Sequence, residues 1–427
     1  MLSAAKHLLF STFDSRFFVA PLLRMTAWSD SQRAAQPSQE SAFGHGRPMK
    51  QRMNHRPTNM ASRESGPSRG QAPKPGSPES FIIAPDDRIL VTGAAGFIGS
   101  RVVESLLDRG FRHVVCFARP SSDLARLEAS IKGRPPGARI EVLRGNLLSR
   151  ADCEAASKGV TVIYHLAAGT GEKSFPDAFM NSVVTTRNLL EASVKYACLK
   201  RFVLVSSFAV YTNRQKSRRL DESCPVEPHP ELSGNAYCFA KVKQEQIVTE
   251  FSKKFAIPYV IVRPGSVYGP GHTEITGRVG IRVFGPFLHF GGFNRIPFAY
   301  VDNCAEAIVL AGLVRGVEGE TFNVLDDDTP SSRRFLKLYK QNVRAFKSAY
   351  VPHMFSYALC YLWEKYSQIS EGQLPPAFNR RRWYAEWRRT SYSNRKIKER
   401  LGWVPKVPTS EALRLYFSSC AQGRQHA

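Results

Sequence analysis

The chain has 427 residues, 43% of them hydrophobic, enough to fill one large core or two. Lys and Arg total 60 against 36 Asp and Glu, a formal charge of +24, so anionic partners have to be considered, although charge alone names none. No window approaches the ~18 consecutive apolar residues of a membrane span, and the eight Cys include no CxxC pair and no His partner at metal-ligand spacing. The composition therefore argues against a membrane span, a disulfide scaffold and a structural zinc, and for a soluble, cytoplasmic chain with reduced thiols and no metal.

Residues 1–81 are rich in Ser, Gln, Pro, Gly and Arg and show no sustained period, which predicts a disordered basic extension. Leu8 to Trp28 has the composition of a transit-like or amphipathic segment; a later start at Met49 or Met53 is the plainer account and would remove part of the excess charge. Order is expected from Asp87, where the β-prone run to Thr92 feeds Gly93-Ala94-Ala95-Gly96-Phe97-Ile98-Gly99 and then the helical pattern Val102, Val103, Leu106, Leu107. Strand, glycine turn and helix in that order let a backbone approach a pyrophosphate while the helix N-terminus faces its charge. Gly93, Gly96, Phe97, Ile98 and Gly99 are the candidate cofactor residues.

A second strand, His113 to Ala118, ends in Arg119, where an acidic residue would hold the ribose 2′-hydroxyl of NAD; an Arg suits the 2′-phosphate of NADP. NADP is therefore favoured over NAD. Further strands are predicted at Ile140 to Leu143, Val162 to Leu166, Phe202 to Val205 and Tyr259 to Val262, with helical patterns between them. This alternation predicts an α/β fold, a Rossmann-type doubly wound parallel sheet over residues 86–270, with a smaller, mostly C-terminal α+β substrate-binding region over 271–420.

Tyr237 and Lys241, four apart on a predicted helix, share one face, and Ser207 closes the fifth strand. A free tyrosine, with a pKa of about 10, is almost wholly protonated at neutral pH; a nearby ammonium and a cofactor cation would favour its phenolate. Ser207 would hydrogen-bond a substrate oxygen while Tyr237 moves its proton, the chemistry of alcohol–ketone interconversion. Ser206 is the nearest rival for the serine role. Cys238 points away around the helix and reads as packing.

The ordered segments Thr92 to Gly99, Gly145-Asn146-Leu147, His165-Leu166-Ala167-Ala168, Ser206-Ser207, Tyr237-Cys238-Phe239-Ala240-Lys241, Arg263-Pro264-Gly265, Tyr268-Gly269-Pro270, Tyr300-Val301-Asp302-Asn303 and Leu401 to Pro405 closely resemble the extended short-chain dehydrogenase/reductase superfamily, in its NAD-dependent epimerase/dehydratase branch. The resemblance runs from about Arg88 to Pro405. It implies Ser207, Tyr237 and Lys241 as the catalytic set, and it sets Asn146, where the family usually has Asp, and Leu147 beside the adenine. Leu166, Ala167 and Ala168 would lie along the cofactor ribose, which Lys241 would grip, and the backbone after Pro264 would meet the nicotinamide amide. The family's helical Asn falls on Ser182, beside Asn181, and that contact stays open. A homodimer through the helices after strands four and five is a further family-based expectation.

The substrate half begins with a Gly- and Phe-rich stretch, His272 to Phe298. The family's phosphate-gripping Arg position is occupied by Ile296, with Arg295 one residue early and Arg278 and Arg282 as substitutes. Asn379 to Arg400 interleaves Arg with Trp383 and Trp387; an amphipathic helix with solvated Arg is preferred over a surface for RNA or anionic membrane, so no nucleic acid is expected. The leading reading is an NAD(P)-dependent oxidoreductase/epimerase acting at a hydroxyl-bearing carbon of a nucleotide sugar. The alternatives are an NADP-dependent hydroxysteroid dehydrogenase or dihydroflavonol-reductase-like ketoreductase, and a non-catalytic dinucleotide-binding regulatory protein. A dehydratase is disfavoured, because Phe208 and Ala209, not an acidic pair, follow Ser207.

Overall fold

The structure is a computed structural model that describes residues 76–423 apart from 133–136, 170–173, 213–217, 273, 283–285 and 370–377. The predicted extension lies, up to residue 75, outside the described residues. Seven strands form the central sheet: β1 (Ile89–Thr92), β2 (His113–Ala118), β3 (Arg139–Arg144), β4 (Val162–His165), β5 (Arg201–Val205), β6 (Tyr259–Pro264) and β7 (Thr321–Val324). Their order is β7-β6-β5-β4-β1-β2-β3, every pairing parallel. The order reverses between β1 and β4, so connections leave on opposite sides there and open a crevice at the carboxyl ends of the strands.

Parallel strands are covered on both faces and their side chains alternate between them. Ile89, Val91, Tyr164, Val203 and Val262 face one way, beneath α1 (Phe97–Asp108) and the later α6 (Val301–Leu313). Leu90, Val115, Ile163, Phe202, Leu204 and Ile261 face the other, beneath α3 (Arg150–Ser157), α4 (Thr185–Val194) and α5 (Ala236–Phe255). The short helix α2 (Ala125–Ile131) follows β2. Helices α1 and α6 are tied by Glu306, which accepts from Ser105 Oγ at 2.9 Å and pairs with Arg109 and, at 3.0 Å, with Lys406.

The C-terminal half adds smaller pieces. Gly280–Arg282, Phe287–His289 and Ser348–Tyr350 form a three-stranded sheet; Ser266–Tyr268 pairs with Phe298–Tyr300; Arg219–Leu220 pairs with Ser391–Tyr392. An aromatic core of Tyr268, Phe298, Phe335, Tyr339, Tyr416 and Phe417 packs among these pieces, α7 (Ser332–Asn342) and the terminal helix Thr409–Gln422.

Three expectations are corrected. Order begins before Asp87: Phe81 bridges Val314, Ile82 N donates to Leu313 O at 2.8 Å, and Phe81 and Ile83 are buried in the main core. One apolar pair is too short to show a period, and its partners lie more than two hundred residues away. Second, the division at residue 270 does not follow the layers, since α6 and β7 come from beyond it and complete the Rossmann-type sheet. Third, Trp383 and Trp387 are buried, but on a single wide helical turn, Trp383–Trp387, after Arg380–Arg382, and the arginines are paired, not solvated: Arg380 with Glu364, Arg381 with Glu227 and Arg382 with Glu386.

Replacing Phe81 with Ala is expected to cost about 3 kcal/mol of stability, the low end for a buried aromatic, because the side chain leaves a cavity against Phe111. Chemical denaturation checks this; a change below about 0.5 kcal/mol would mean the segment is not part of the core.

Candidate active site

The crevice is built first by backbone. Gly93, directly after β1, has φ +71°, and a Cβ there would stand 3.0 Å from Ala167 N on the loop after β4. A Cβ on Gly99 would stand 2.0 Å from Gly93 O, so the first turn of α1 packs on the glycine turn at a distance only hydrogen permits. Gly96 caps α1 and brings no side chain to its first backbone N–H groups. Close approach, an uncapped helix start and the switch-point crevice fit a dinucleotide pyrophosphate. Ile98 is half-buried against the core, whereas the Phe97 ring turns toward the other half, against Arg126 and His272.

Behind this turn lies a buried polar chain. Thr92 Oγ1 stands 2.8 Å from His165 Nδ1, His165 Nε2 is 2.9 Å from Thr186 Oγ1, and Thr186 Oγ1 donates to Ser182 O at 2.6 Å. Thr186 has spent its one proton there and also accepts from Gln244 Nε2 at 2.7 Å, so His165 must carry its proton on Nε2 and accept from Thr92 at Nδ1. Burial, helped by the Lys241 charge, pushes the His165 pKa down to about 3, in keeping with this neutral tautomer. Thr92 Oγ1 in turn accepts Ala167 N–H at 3.2 Å, and Ser182 Oγ accepts Gly169 N–H at 2.9 Å, so the network fixes the loop that carries Leu166, Ala167 and Ala168. Ser182 therefore holds that loop.

Tyr237 and Lys241 sit on the first turns of α5, which starts at the Asn235 cap with Asn235 Oδ1 accepting Cys238 N–H at 3.0 Å. Ser207 lies close enough to the Tyr237 hydroxyl to favour its ionised form, and Lys241 Nζ lies 5.9 Å from the Tyr237 ring centre. The structure thus brings together the three residues singled out in the sequence. Buried Lys241 donates to Val205 O at 2.8 Å, and burial lowers its pKa to about 8, with Glu245 pulling the other way. Burial raises the Tyr237 pKa, which Ser207 offsets only in part. Burial thus opposes the phenolate in the polypeptide alone, in keeping with the expectation that a cofactor cation adds to the ammonium of Lys241.

Ser206 is settled by its partners. Its Oγ donates to Glu245 Oε1 at 2.5 Å, and Glu245 takes Arg263 as a two-pronged partner at 2.9 and 2.6 Å, all three buried. Sequence reading passed over Glu245, although Tyr237, Lys241 and Glu245 at intervals of four displayed one helical face. Cys238 is buried among Phe208, Val210 and Val242, its thiol pushed up to about 11 by burial, a packing role.

The remaining candidates ring the crevice. Arg119 is exposed at the end of β2, and Leu147 is buried after β3. The Asn146 side chain accepts Leu148 N–H at 3.0 Å, while its own N–H donates to Asp152 Oδ2 at 2.7 Å. Pro264 ends β6, and Gly265 lies so close to Pro297 O that a Cβ would stand 2.1 Å from it. Of the substrate-side arginines, Arg278 is used up on Ala385 O and Tyr392 Oη at 2.7 and 3.2 Å, and Arg282 covers the Phe346 ring. Arg295 donates to Thr329 O at 3.0 Å and lines a cavity of about 610 Å³ together with Arg218, Arg389 and the Arg334–Asp328 pair, while Ile296 is buried. This cavity does not contain the Ser207–Tyr237–Lys241 cluster, but Arg218 and Ser391 on its wall adjoin the Arg219–Leu220 and Ser391–Tyr392 pair, and Tyr392 stacks on Phe208, next to Ser207. Arg389 belongs to the basic stretch singled out in the sequence, whereas Arg218 escaped sequence reading because only the fold brings it to this wall.

The profile of the NAD dependent epimerase/dehydratase family matches residues 89–324. The chain is similar to a protein of Bacillus subtilis (strain 168) described as an uncharacterized UDP-glucose epimerase, 31% identical over 56% of this chain and 76% of that relative. It is also similar to a 3 beta-hydroxysteroid dehydrogenase/isomerase of Mycobacterium tuberculosis (strain ATCC 25618 / H37Rv), 33% identical over 43% of this chain, a match that spans 48% of that relative. Among solved structures, UDP-glucuronic acid 4-epimerase from Bacillus cereus in complex with NAD is similar with a TM-score of 0.58 and 25% identity, covering 78% of this chain and 99% of that one.

The two neighbouring serines are expected to fail differently. Ser206→Ala should cost about 2 kcal/mol of stability by leaving part of Glu245 unpaired, whereas Ser207→Ala should keep stability and lower kcat by roughly 10²–10³-fold. Denaturation curves beside turnover rates check the assignment, and exchanged effects would reverse it.

Proposed function

This chain belongs to the NAD dependent epimerase/dehydratase family, within the extended short-chain dehydrogenase/reductase superfamily, and is an enzyme; on that premise we propose that it oxidises, reduces or epimerises a hydroxyl-bearing carbon of a nucleotide sugar. The observation that carries the reading is the Ser207–Tyr237–Lys241 cluster at the carboxyl end of β5, beside a glycine turn shaped for a pyrophosphate. Gly93, Gly96, Phe97, Ile98 and Gly99 would hold the dinucleotide phosphates, Asn146 and Leu147 the adenine, Leu166, Ala167, Ala168 and Lys241 the ribose, and the backbone after Pro264 the amide. When bound, the nicotinamide ring is the two-electron partner of the reaction and, oxidised, adds a positive charge to that of Lys241.

In this scheme Ser207 orients the substrate hydroxyl, and Tyr237 Oη takes its proton during oxidation or returns it during reduction. Lys241, held by Val205 O, keeps its ammonium behind the tyrosine. Exposed Arg119 has no carboxylate partner among the described residues, which supports NADP over NAD.

The nucleotide sugar is favoured over an apolar alcohol by the cavity with four arginines and one aspartate, a composition suited to a diphosphate and costly to cover with a steroid. A homodimer through α4 and α5, whose outer surface exposes Val194 and Phe255, belongs to the same reading.

Tyr237→Phe is expected to reduce turnover at least ~10³-fold while leaving dinucleotide affinity within about threefold. Arg295→Ala with Arg389→Ala should instead raise KM for a UDP-sugar about tenfold or more with kcat nearly kept. An unchanged rate in the first variant sinks the mechanism; an unchanged KM in the second moves the substrate to the apolar alcohols.

A further inference from the structure

The helix α8 (His353–Ile369) is built inside out. It turns small and polar residues, Ser356, Cys360 and Ser367, into the protein, where Ser356 Oγ accepts from Trp383 Nε1 at 2.9 Å and Cys360 packs with Phe290, Trp383 and Trp387. Its large apolar side chains face outward: Met354 is 83% exposed, Phe355 69%, Leu362 63%, Tyr366 57% and Ile369 77%. Phe355, Leu359, Leu362, Tyr366 and Ile369 follow one another at intervals of four and three, a continuous stripe along one side. The stripe is prolonged at its N-terminal end by exposed Tyr350, which lies against Gly292, next to exposed Phe293. A helix whose function was packing alone would bury this face.

The segment that leads into it is as one-sided in charge as the helix is in exposure. Residues 333–369 contain seven Lys and Arg but one acidic residue, Glu364, which is paired to Arg380. Arg333 lies over the Phe293 ring at 5.5 Å, and Lys340 and Arg344 lie over Phe346 at 5.0 and 5.7 Å, where Lys340 also donates to Ser348 Oγ at the start of the strand that carries Tyr350. Arg333, Lys340, Arg344 and Lys347 form no ion pair among the described residues; Arg334, with Asp328 at 3.6 Å, does. The helix is about 25 Å long, by its rise per residue, and no described helix is long and apolar enough to cross a membrane.

We propose that α8 lies in the plane of an anionic phospholipid bilayer, its Phe355–Ile369 stripe in the headgroup–acyl boundary and the Arg333, Lys340, Arg344 and Lys347 cations on the lipid phosphates. The charge selects this occupant. A second copy of the chain, docked through the same stripe, would bring a second set of unpaired cations to the same place, whereas an anionic lipid surface neutralises them while it covers the apolar side chains. The enzyme would thus work at a membrane surface without spanning it.

The test is flotation of the full chain with phosphatidylcholine vesicles and with mixed phosphatidylcholine–phosphatidylglycerol vesicles, together with sedimentation velocity without lipid. The expected result is binding to the mixed vesicles that weakens with salt, about tenfold or more weaker for Phe355→Ser/Leu362→Ser, and weaker also for Lys340→Glu/Arg344→Glu, with unaltered thermal unfolding. The proposal is overturned if the chain ignores both vesicles, if both double variants bind as the parent does, so that the basic residues 1–75 carry the affinity, or if the stripe variant breaks a dimer and leaves lipid binding unchanged.

Discussion

The carboxylate of Glu245 is the constraint on which the site depends. It stands on the same face of α5 as Tyr237 and Lys241, and it is held at once by Ser206, at the end of β5, and by Arg263, inside β6. A buried ion pair adds little net stability, since desolvation consumes most of its attraction, but breaking one is costly, and that asymmetry makes it a device for register. The helix cannot slide or roll against the two strands without leaving a charge unpaired in the core. Ser207 and Pro264, the neighbours of those partners, are thereby fixed relative to Tyr237. Arg263 also lies over the Tyr211 ring at 4.8 Å, and Tyr211 Oη donates to Asn323 Oδ1 at 2.7 Å, which carries the constraint on to β7.

The opposite wall of the crevice is set by a different means. There the backbone itself is the contact, through glycines that let β1, the start of α1 and the loop after β4 approach within distances no side chain tolerates. The neutral Thr92–His165–Thr186–Ser182 chain adds direction to that approach without adding charge, because every proton in it has one available acceptor. Charge enters on one side of the site, through Lys241, next to the buried Tyr237, whose pKa burial raises.

Much of this was legible in the sequence, for physical reasons that can be named. The strands β1, β2, β4, β5 and β6 are mainly apolar runs bounded by turns, β3 mixes apolar and charged residues, and the glycine spacing and the Tyr237–Lys241 interval are local patterns with local causes. What was not legible depends on contacts between distant segments. The strand β7 has polar Thr321 and Asn323 between its apolar residues and lies beyond a Gly-rich stretch, and no continuous apolar run announced it. Phe81 and Ile83 needed Val314 and Leu313 to become structure. Arg380, Arg381 and Arg382 read as a cationic face because Glu364, Glu227 and Glu386 reach them only in the fold. Exposure on α8 was equally hidden, since its apolar content predicts burial and only packing shows which face is turned out.

Calorimetric titration of the full chain with NADP and with NAD decides whether the crevice at the reversal of the sheet is a dinucleotide site. One site per chain is expected, with NADP the tighter ligand by virtue of Arg119 and a weaker but measurable NAD isotherm. Absence of heat and of competition with either dinucleotide would contradict it, leaving the glycine turn as a tight corner and Ser207, Tyr237 and Lys241 as a buried cluster without a cofactor.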